Sequence, residues 1–352
     1  WVEKMVAQRN YDTLFSQYLD RYDNGNISSQ TVNHYNQNPI TYDYSYDRLN
    51  RMTKWECTNR DSTNFFYDDV GNRDACSFGT NVTNYVYNNP LAQHANRLDS
   101  LYHSAGNDRS SSFLYNNNGA LTQRNNFRNN SLSNSEHFSY NMGGMVRQYE
   151  KYLYDSGVDT AYSDWRYRYS PLGGREQKRL YHSTHGDSTD GYTHPWVYYL
   201  RGAYGEQLAL YYGRQTRETD TCGNNGLRVH IYPNSYITNA GELVTRADGT
   251  KEFSVMDHLG SVRATVNDAD TTVLSYEYQP FGDTLNPASD ETARIGFIGQ
   301  ERDIEHGYFN MGARYYDPEM GRFLSVDPLF EIYPEYSPYS YCNNSPMMWR
   351  DN

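Results

Sequence analysis

Phe65-Phe66-Tyr67-Asp68-Asp69-Val70-Gly71-Asn72-Arg73 is the cleanest copy of a unit that this chain keeps repeating. The unit is an aromatic, one residue, Tyr, Asp or Asn, a short turn and Gly. Tyr44-Ser45-Tyr46-Asp47 opens another copy, and looser ones are Phe113-Leu114-Tyr115-Asn116-Asn117-Asn118-Gly119, Phe138-Ser139-Tyr140-Asn141-Met142-Gly143-Gly144, Tyr167-Arg168-Tyr169-Ser170-Pro171-Leu172-Gly173 and Tyr276-Glu277-Tyr278-Gln279-Pro280-Phe281-Gly282. A shortened copy runs over Tyr18–Asn26 and a degenerate one begins at Tyr85-Val86-Tyr87-Asn88-Asn89. Aromatics at i and i+2 put two rings on one face of a strand. Asp or Asn with Gly nearby supplies the positions of a hairpin turn that tolerate positive φ. Each unit therefore predicts a strand, a turn and a returning strand. A repeat of this kind marks an architecture built from like units. The fold expected is all-β, a long antiparallel hairpin ribbon over residues 40–290.

Composition narrows the class further. Of 352 residues, 37% are in the set AVILMFWYC, and Tyr alone supplies 37 of them. Mean hydropathy is -0.93. A core packed from Leu, Ile and Val is not expected, and neither is disorder, because disordered chains are poor in aromatics. Tyr covers a sheet face with its ring while its hydroxyl reaches water or a partner. The net charge of -12 argues against nucleic acid or an anionic membrane as a general electrostatic partner. No apolar run approaches the ~18 residues of a membrane-spanning helix. The chain opens at Trp1 inside what reads as a repeat, without a signal peptide, and we expect its natural N-terminus to lie further upstream. Cys57, Cys76, Cys222 and Cys342 are far apart and form no Cys-x-x-Cys pair, so neither a zinc framework nor a dense disulfide scaffold is indicated. His182, His185, Asp187, Asp190 and His194 cluster in a polar hairpin tip and read as solvated turn residues rather than metal ligands. No cofactor motif is present, since no glycine-rich loop joins a strand to a helix. Helix signals are weak, the best being a short one near Glu291-Thr292-Ala293-Arg294.

Residues 256–352 differ from the 1–255 ribbon. They are denser in motifs: Met256-Asp257-His258-Leu259-Gly260-Ser261-Val262-Arg263, then Gly299-Gln300-Glu301-Arg302-Asp303, then Gly312-Ala313-Arg314-Tyr315-Tyr316-Asp317-Pro318-Glu319-Met320-Gly321-Arg322-Phe323-Leu324-Ser325-Val326-Asp327-Pro328. The end reads Ser337-Pro338-Tyr339-Ser340-Tyr341-Cys342-Asn343-Asn344-Ser345-Pro346-Met347-Met348-Trp349-Arg350-Asp351-Asn352. Taken as local chemistry, an Asp before Pro is a turn residue, in Asp327-Pro328 as in Asp317-Pro318.

In order and content this succession resembles the Rhs repeat-associated core, the C-terminal cap of bacterial Rhs and YD-repeat proteins. The C component of insecticidal toxin complexes and the teneurins carry related shells. The upstream units Tyr46-Asp47 and Tyr67-Asp68 with Gly71 resemble the YD repeats of the same family. The resemblance implies a β-ribbon spiralling into a hollow cocoon around a C-terminal toxin or effector held in cis, with residues 291–352 as an inward plug. It implies a secreted or cell-surface bacterial protein, delivered by a secretion system, with secretion-system or cap proteins as further partners. It also implies self-cleavage by a pair of aspartates matching Asp327 and Asp351, with Arg322 in support. Pro346 to Asp351 has the family spacing before the cleavage point, but Asn352 stands where the family has Pro. Two close carboxylates sharing a proton act as base and acid on a water. The alternative is a surface scaffold without cleavage, binding carbohydrate or another cell.

Size bears on the container reading. At about 16 Å² of sheet per strand residue, about 300 residues would wall on the order of 5,000 Å². The interior left is about the size of one ~100-residue domain. A folded cargo then needs repeats upstream of Trp1 or other chains in the wall; otherwise the cargo is small or unfolded.

Overall fold

The computed structural model describes residues 2–9, 11–58, 60–87, 96–104, 110–129, 131–155, 158–184, 196–203, 206–219, 225–238, 243–268, 273–285 and 295–351. His185, Asp187, Asp190, His194, Cys222 and the segment Glu291–Arg294 lie outside them, as does the side chain of His182. The protein is all-β, and antiparallel pairing between chain neighbours runs from Lys4 onward. Two compact units are formed. The first comprises Trp1–Ser110, Asn117–Ala120 and Phe253–Asn352; the second comprises Ser111–Asn116 and Leu121–Glu252.

The repeated sequence unit builds one turn again and again. At Asp68 the backbone N–H donates to Asn72 O at 2.9 Å and Gly71 N–H donates back to Asp68 O at 3.2 Å. The Asp68 carboxylate accepts from Val70 N and Asn72 N at 3.0 and 2.8 Å. Gly71 has φ +86° and closes the turn in the left-handed region. The same frame recurs at Asp47, Asn141 and Asp257. At Ser170 a hydroxyl takes over the carboxylate's part, accepting from Gly174 N at 3.1 Å. At Asp47 the left-handed position falls to Asn50, a residue type that tolerates it. Strand pairing shifts register next to each turn, as between Ser45 and Tyr46, Phe66 and Tyr67, Ser139 and Tyr140, and Arg168 and Tyr169.

In several units the tyrosine just before the turn has a specific task, although the Tyr46 hydroxyl is buried without a hydrogen-bond partner. Tyr67 donates its hydroxyl to Met52 O at 2.8 Å, Tyr87 to Arg73 O at 3.1 Å, Tyr140 to Leu121 O at 2.6 Å and Tyr169 to Val146 O at 2.8 Å. Each acceptor is the first residue of the strand that leaves the preceding turn. The hydroxyl thus staples one hairpin to the one before it. Arg51 adds a second tie, donating to Asp68 O at 2.7 Å with its guanidinium 5.1 Å from the Tyr67 ring centroid.

In the first unit, nine strands from Lys4–Arg9 to Ser100–His103 pair in chain order. Alternation puts Tyr42 and Tyr44 on one face, and Met52, Trp55 and Cys57 are buried on the next strand. Phe281, Phe297, Phe309, Tyr316, Phe323 and Tyr341 of the C-terminal segment pack onto that face in one cluster. That segment is held by four short strands, Glu301–Arg302, Phe309–Asn310, Tyr315–Asp317 and Arg322–Phe323. The C-terminal segment is therefore packed into the core of this unit. It also caps the YD turns: Asn344 donates to Gly71 O at 2.8 Å and Ser337 N to Val70 O at 2.7 Å.

A buried charge cluster locks the segment to the ribbon. Glu277 accepts from His34, from Tyr42 at 2.5 Å and from Arg263 at 3.2 Å, and Arg263 also pairs with Asp257 at 3.0 Å. Burial acts to raise the Glu277 carboxyl, yet Arg263, His34 and Tyr42 together hold it below the ordinary range. Burial also pushes the Tyr42 phenol well up, so it stays a donor.

In the second unit, nine strands from Leu121–Arg128 to Leu243–Arg246 pair consecutively, reaching 14 residues in Asn225–Thr238. Its buried side chains are few and mixed, with Tyr149, and Arg175 lying 5.0 Å from the Tyr199 ring centroid.

Two outcomes test this account. Tyr67→Phe should cost about 0.5–1.5 kcal/mol in urea unfolding, as one hydrogen bond is lost with the ring retained; an unchanged midpoint would show the staple to be idle. Glu277→Gln should cost about 3–5 kcal/mol because Arg263 is left under-compensated. A depressed folded-state carboxyl contributes stability above its unfolded pKa and loses it as pH falls through the folded value. Wild type should therefore lose stability on acidification below about pH 4.5, more steeply than Glu277→Gln.

Candidate functional site

Asp327 follows the Arg322–Phe323 strand. Its amide donates to Pro338 O at 2.9 Å, and its Oδ1 accepts from Leu329 N at 2.7 Å. Asp351 follows the turn begun by Ser345 and Pro346, where Met348 N and Trp349 N both donate to Ser345 O. Proline suits that opening position because it has no amide to satisfy. Although 24 positions apart in the chain, the two aspartates meet at one arginine. Arg314 Nη2 lies 2.8 Å from Asp327 Oδ2 and 3.0 Å from Asp351 Oδ2.

Arg314 is rigidly placed. Its guanidinium stacks 3.6 Å from the Phe323 ring centroid, and Nη1 donates to Pro338 O at 3.4 Å. Its side chain is 7% exposed, whereas those of Asp327 and Asp351 are 35% and 33% exposed. Burial pulls the Arg314 pKa down and the two carboxylates oppose that shift. The carboxylates open onto a cleft of about 280 Å³ lined also by Phe330, Tyr333, Tyr336 and Trp349. Cys342 borders the same cleft, its thiol pushed up to about 12 by burial. Such a thiol is not a nucleophile at neutral pH.

Arg322, which sequence order had set beside the pair, is engaged elsewhere. It donates to Tyr87 OH at 2.9 Å and Asn96 O at 2.8 Å and lies 4.8 Å from the Tyr339 ring centroid. The arginine beside the two carboxylates is Arg314. Arg314 directly precedes the strand Tyr315–Asp317, whose antiparallel pairing with Arg322–Phe323 sets it beside the residues that follow Phe323.

The remaining motif residues build the support. Asp303 is fully buried and accepts from Tyr315 OH at 2.8 Å. Tyr316 donates to Phe281 O at 2.7 Å. Asp317 caps the turn through Pro318, accepting from Met320 N at 3.1 Å. Gly321 has φ +67°, and a Cβ there would lie 2.5 Å from Arg73 Nη2. Gly312, also at positive φ, turns the chain into Arg314. Arg302 donates to Gly307 O and Thr284 Oγ1. Asp303, Glu305 and His306 bring their ligand atoms within 4.8 Å, a grouping not read from sequence. His306 Nδ1, however, accepts from Tyr308 N at 3.1 Å, which puts the neutral ring's proton on Nε2, facing Asp303 at 3.7 Å. That is the geometry of a structural pair rather than of a free ligand nitrogen.

Residues 197–347 match the family model described as the teneurin YD-shell. The stapled turn unit recurs upstream of that match, at Tyr67, Tyr87, Tyr140 and Tyr169. Over residues 197–347 the chain resembles the shells of Rhs/YD-repeat proteins. It is 35% identical over 154 residues to salivary gland surface protein 1 of Aedes aegypti, covering 43% of this chain and 4% of that one. It is 30% identical over 189 residues to the tRNA3(Ser)-specific nuclease WapA of Bacillus spizizenii, covering 52% and 7%. It is 23% identical over 286 residues to toxin subunit YenC1 of Yersinia entomophaga, covering 75% and 26%. This YD-repeat chain thus spans about a quarter or less of those relatives' own lengths. Among solved structures, TcdB2-TccC3-TEV aligns at a TM-score of 0.41 and 15% identity, over 96% of this chain and 20% of that one.

Arg314→Gln should lower stability by about 1–3 kcal/mol, since two carboxylates then face each other uncompensated. Asp327→Asn should cost less than about 1 kcal/mol, because Asp351 still pairs with the arginine at a part-exposed site. Urea unfolding of both variants checks the order. Equal costs would show that Arg314 does not act as a shared bridge.

Proposed function

We propose that this YD-repeat scaffold is the C-terminal part of a shell that encloses an effector segment in cis and frees it by self-cleavage at Asp327 and Asp351. The supporting observation is the convergence of both carboxylates on Arg314 at the mouth of a cleft. In this reading one carboxylate takes a proton from water as it attacks the peptide carbonyl, and the other, protonated, gives its proton to the leaving amine. Arg314 keeps two neighbouring negative charges compatible before substrate arrives. The relatives named as a toxin subunit and as a tRNA nuclease fit a carrier of effectors, and we place the protein outside the bacterial cell or at its surface, with secretion or cap proteins as partners. Among the described residues no helix is long and apolar enough to cross a membrane.

A surface scaffold without cleavage is the second reading. The likeness to the teneurin YD-shell and to a salivary gland surface protein favours it, as does Asn352 in the place where the family has Pro.

The natural gene product that contains this chain decides between them. Wild type should appear as two fragments by mass spectrometry, and Asp327→Asn as one, with the same circular dichroism. A single uncleaved wild-type species would remove the self-cleavage reading and leave the scaffold.

A further inference from the structure

The cleft has an apolar side that acid–base chemistry does not use. Leu329, Phe330, Ile332, Tyr333 and Tyr336 are 42–61% exposed within eight positions, and Trp349 is 64% exposed. Exposed large apolar side chains gathered this densely mark a contact surface. Their placement is ordered. Phe330 N donates to Asp327 O, Tyr333 N to Phe330 O, and Tyr336 N to Tyr333 O, at 3.1–3.2 Å. Bonds from i+3 to i bring side chains three apart onto one side of the turn. Phe330, Tyr333 and Tyr336 therefore form a row that begins at Asp327, and with Trp349 they line the cleft that holds both aspartates.

We propose that this row is a specificity subsite for an extended polypeptide. An apolar or aromatic side chain beds among Phe330, Tyr333, Tyr336 and Trp349 while the backbone crosses Asp327 and Asp351. The inference rests on the self-cleavage reading and names what that site recognises. The occupant is a segment covalently joined to Asp351: Trp349, Arg350 and Asp351 form one wall, so a chain leaving Asp351 starts inside the cleft. The volume of about 280 Å³ lies just below the ~300–1,000 Å³ typical of ligand pockets, room for one or two side chains but not for a folded domain.

The test uses two capped tetrapeptides, Ac-Gly-Phe-Gly-Gly-NH2 and Ac-Gly-Ser-Gly-Gly-NH2, titrated against the chain with tryptophan fluorescence, and Trp349→Phe as the control for signal origin. The Phe peptide should bind at least about tenfold more tightly, the return on partly burying one aromatic side chain. Tyr333→Ser should shrink the preference to about twofold or less, with unchanged circular dichroism since Tyr333 is exposed. In the natural gene product, Tyr333→Ser should slow cleavage at least about tenfold. Equal binding of the two peptides, or a preference intact in Tyr333→Ser, overturns the subsite. Preferential binding of maltohexaose over both peptides also overturns it and makes the row a carbohydrate platform. Cleavage indifferent to Tyr333→Ser removes the subsite and leaves the self-cleavage reading standing. A peptide preference without any cleavage supports the subsite and removes that reading.

Discussion

The tyrosine hydroxyl bonded to the backbone carbonyl of the preceding hairpin is the constraint on which the rest of the architecture depends. A two-stranded hairpin is marginal in water, because one face of so few residues buries too little. Each staple replaces missing apolar area with a directional bond, at Tyr67, Tyr87, Tyr140 and Tyr169. It also sets spacing. The hydroxyl reaches its acceptor only when each turn lies close against the one before it. The composition follows from this requirement: tyrosine brings ring area and a donor together, which phenylalanine and leucine do not.

The repeat and the β class were legible because their causes are local. Aromatic alternation and the turn residue with its downstream glycine act within a dozen positions. The staple itself was not legible, since its acceptor is a carbonyl, which leaves no trace in residue identity. The charge cluster around Glu277 was hidden for a related reason. Asp257 and Arg263 read as ordinary motif residues, nothing marks His34 or Tyr42 in the sequence, and their convergence needs contacts across about 240 positions. At the candidate site Asp327 and Asp351 were picked out by resemblance, and local chemistry alone offered only turn residues. Arg314 was noted as motif but not as their partner, because the contact forms across the hairpin that pairs Tyr315–Asp317 with Arg322–Phe323. The aromatic row was missed because Phe330, Tyr333 and Tyr336 follow a period of three, and helical or strand periods were sought.

The first unit shows how a wall with little aliphatic content is made firm. Its C-terminal segment contributes the large rings, Phe281, Phe297, Phe309, Tyr316, Phe323 and Tyr341, and the strands contribute Trp55, Tyr42 and Phe65. Some polar groups carried inward with them are satisfied in pairs, as Asp303 with Tyr315 and Glu277 with Arg263, whereas the Tyr341 hydroxyl and Trp55 Nε1 are buried without a hydrogen-bond partner. The same segment holds Arg314 against Phe323, so the packing that closes the core also aims the guanidinium at the aspartates.

The four staples share a direction: the acceptor carbonyl always lies upstream of the donating phenol. During synthesis each new turn can dock on a neighbour that has already left the ribosome, so the wall can grow course by course like masonry. The Glu277 lock to His34, 243 positions back, is available only after the later residues emerge. The order of translation therefore separates laying the wall from bolting it, and gives a nascent chain an interval in which the unit is built but still open.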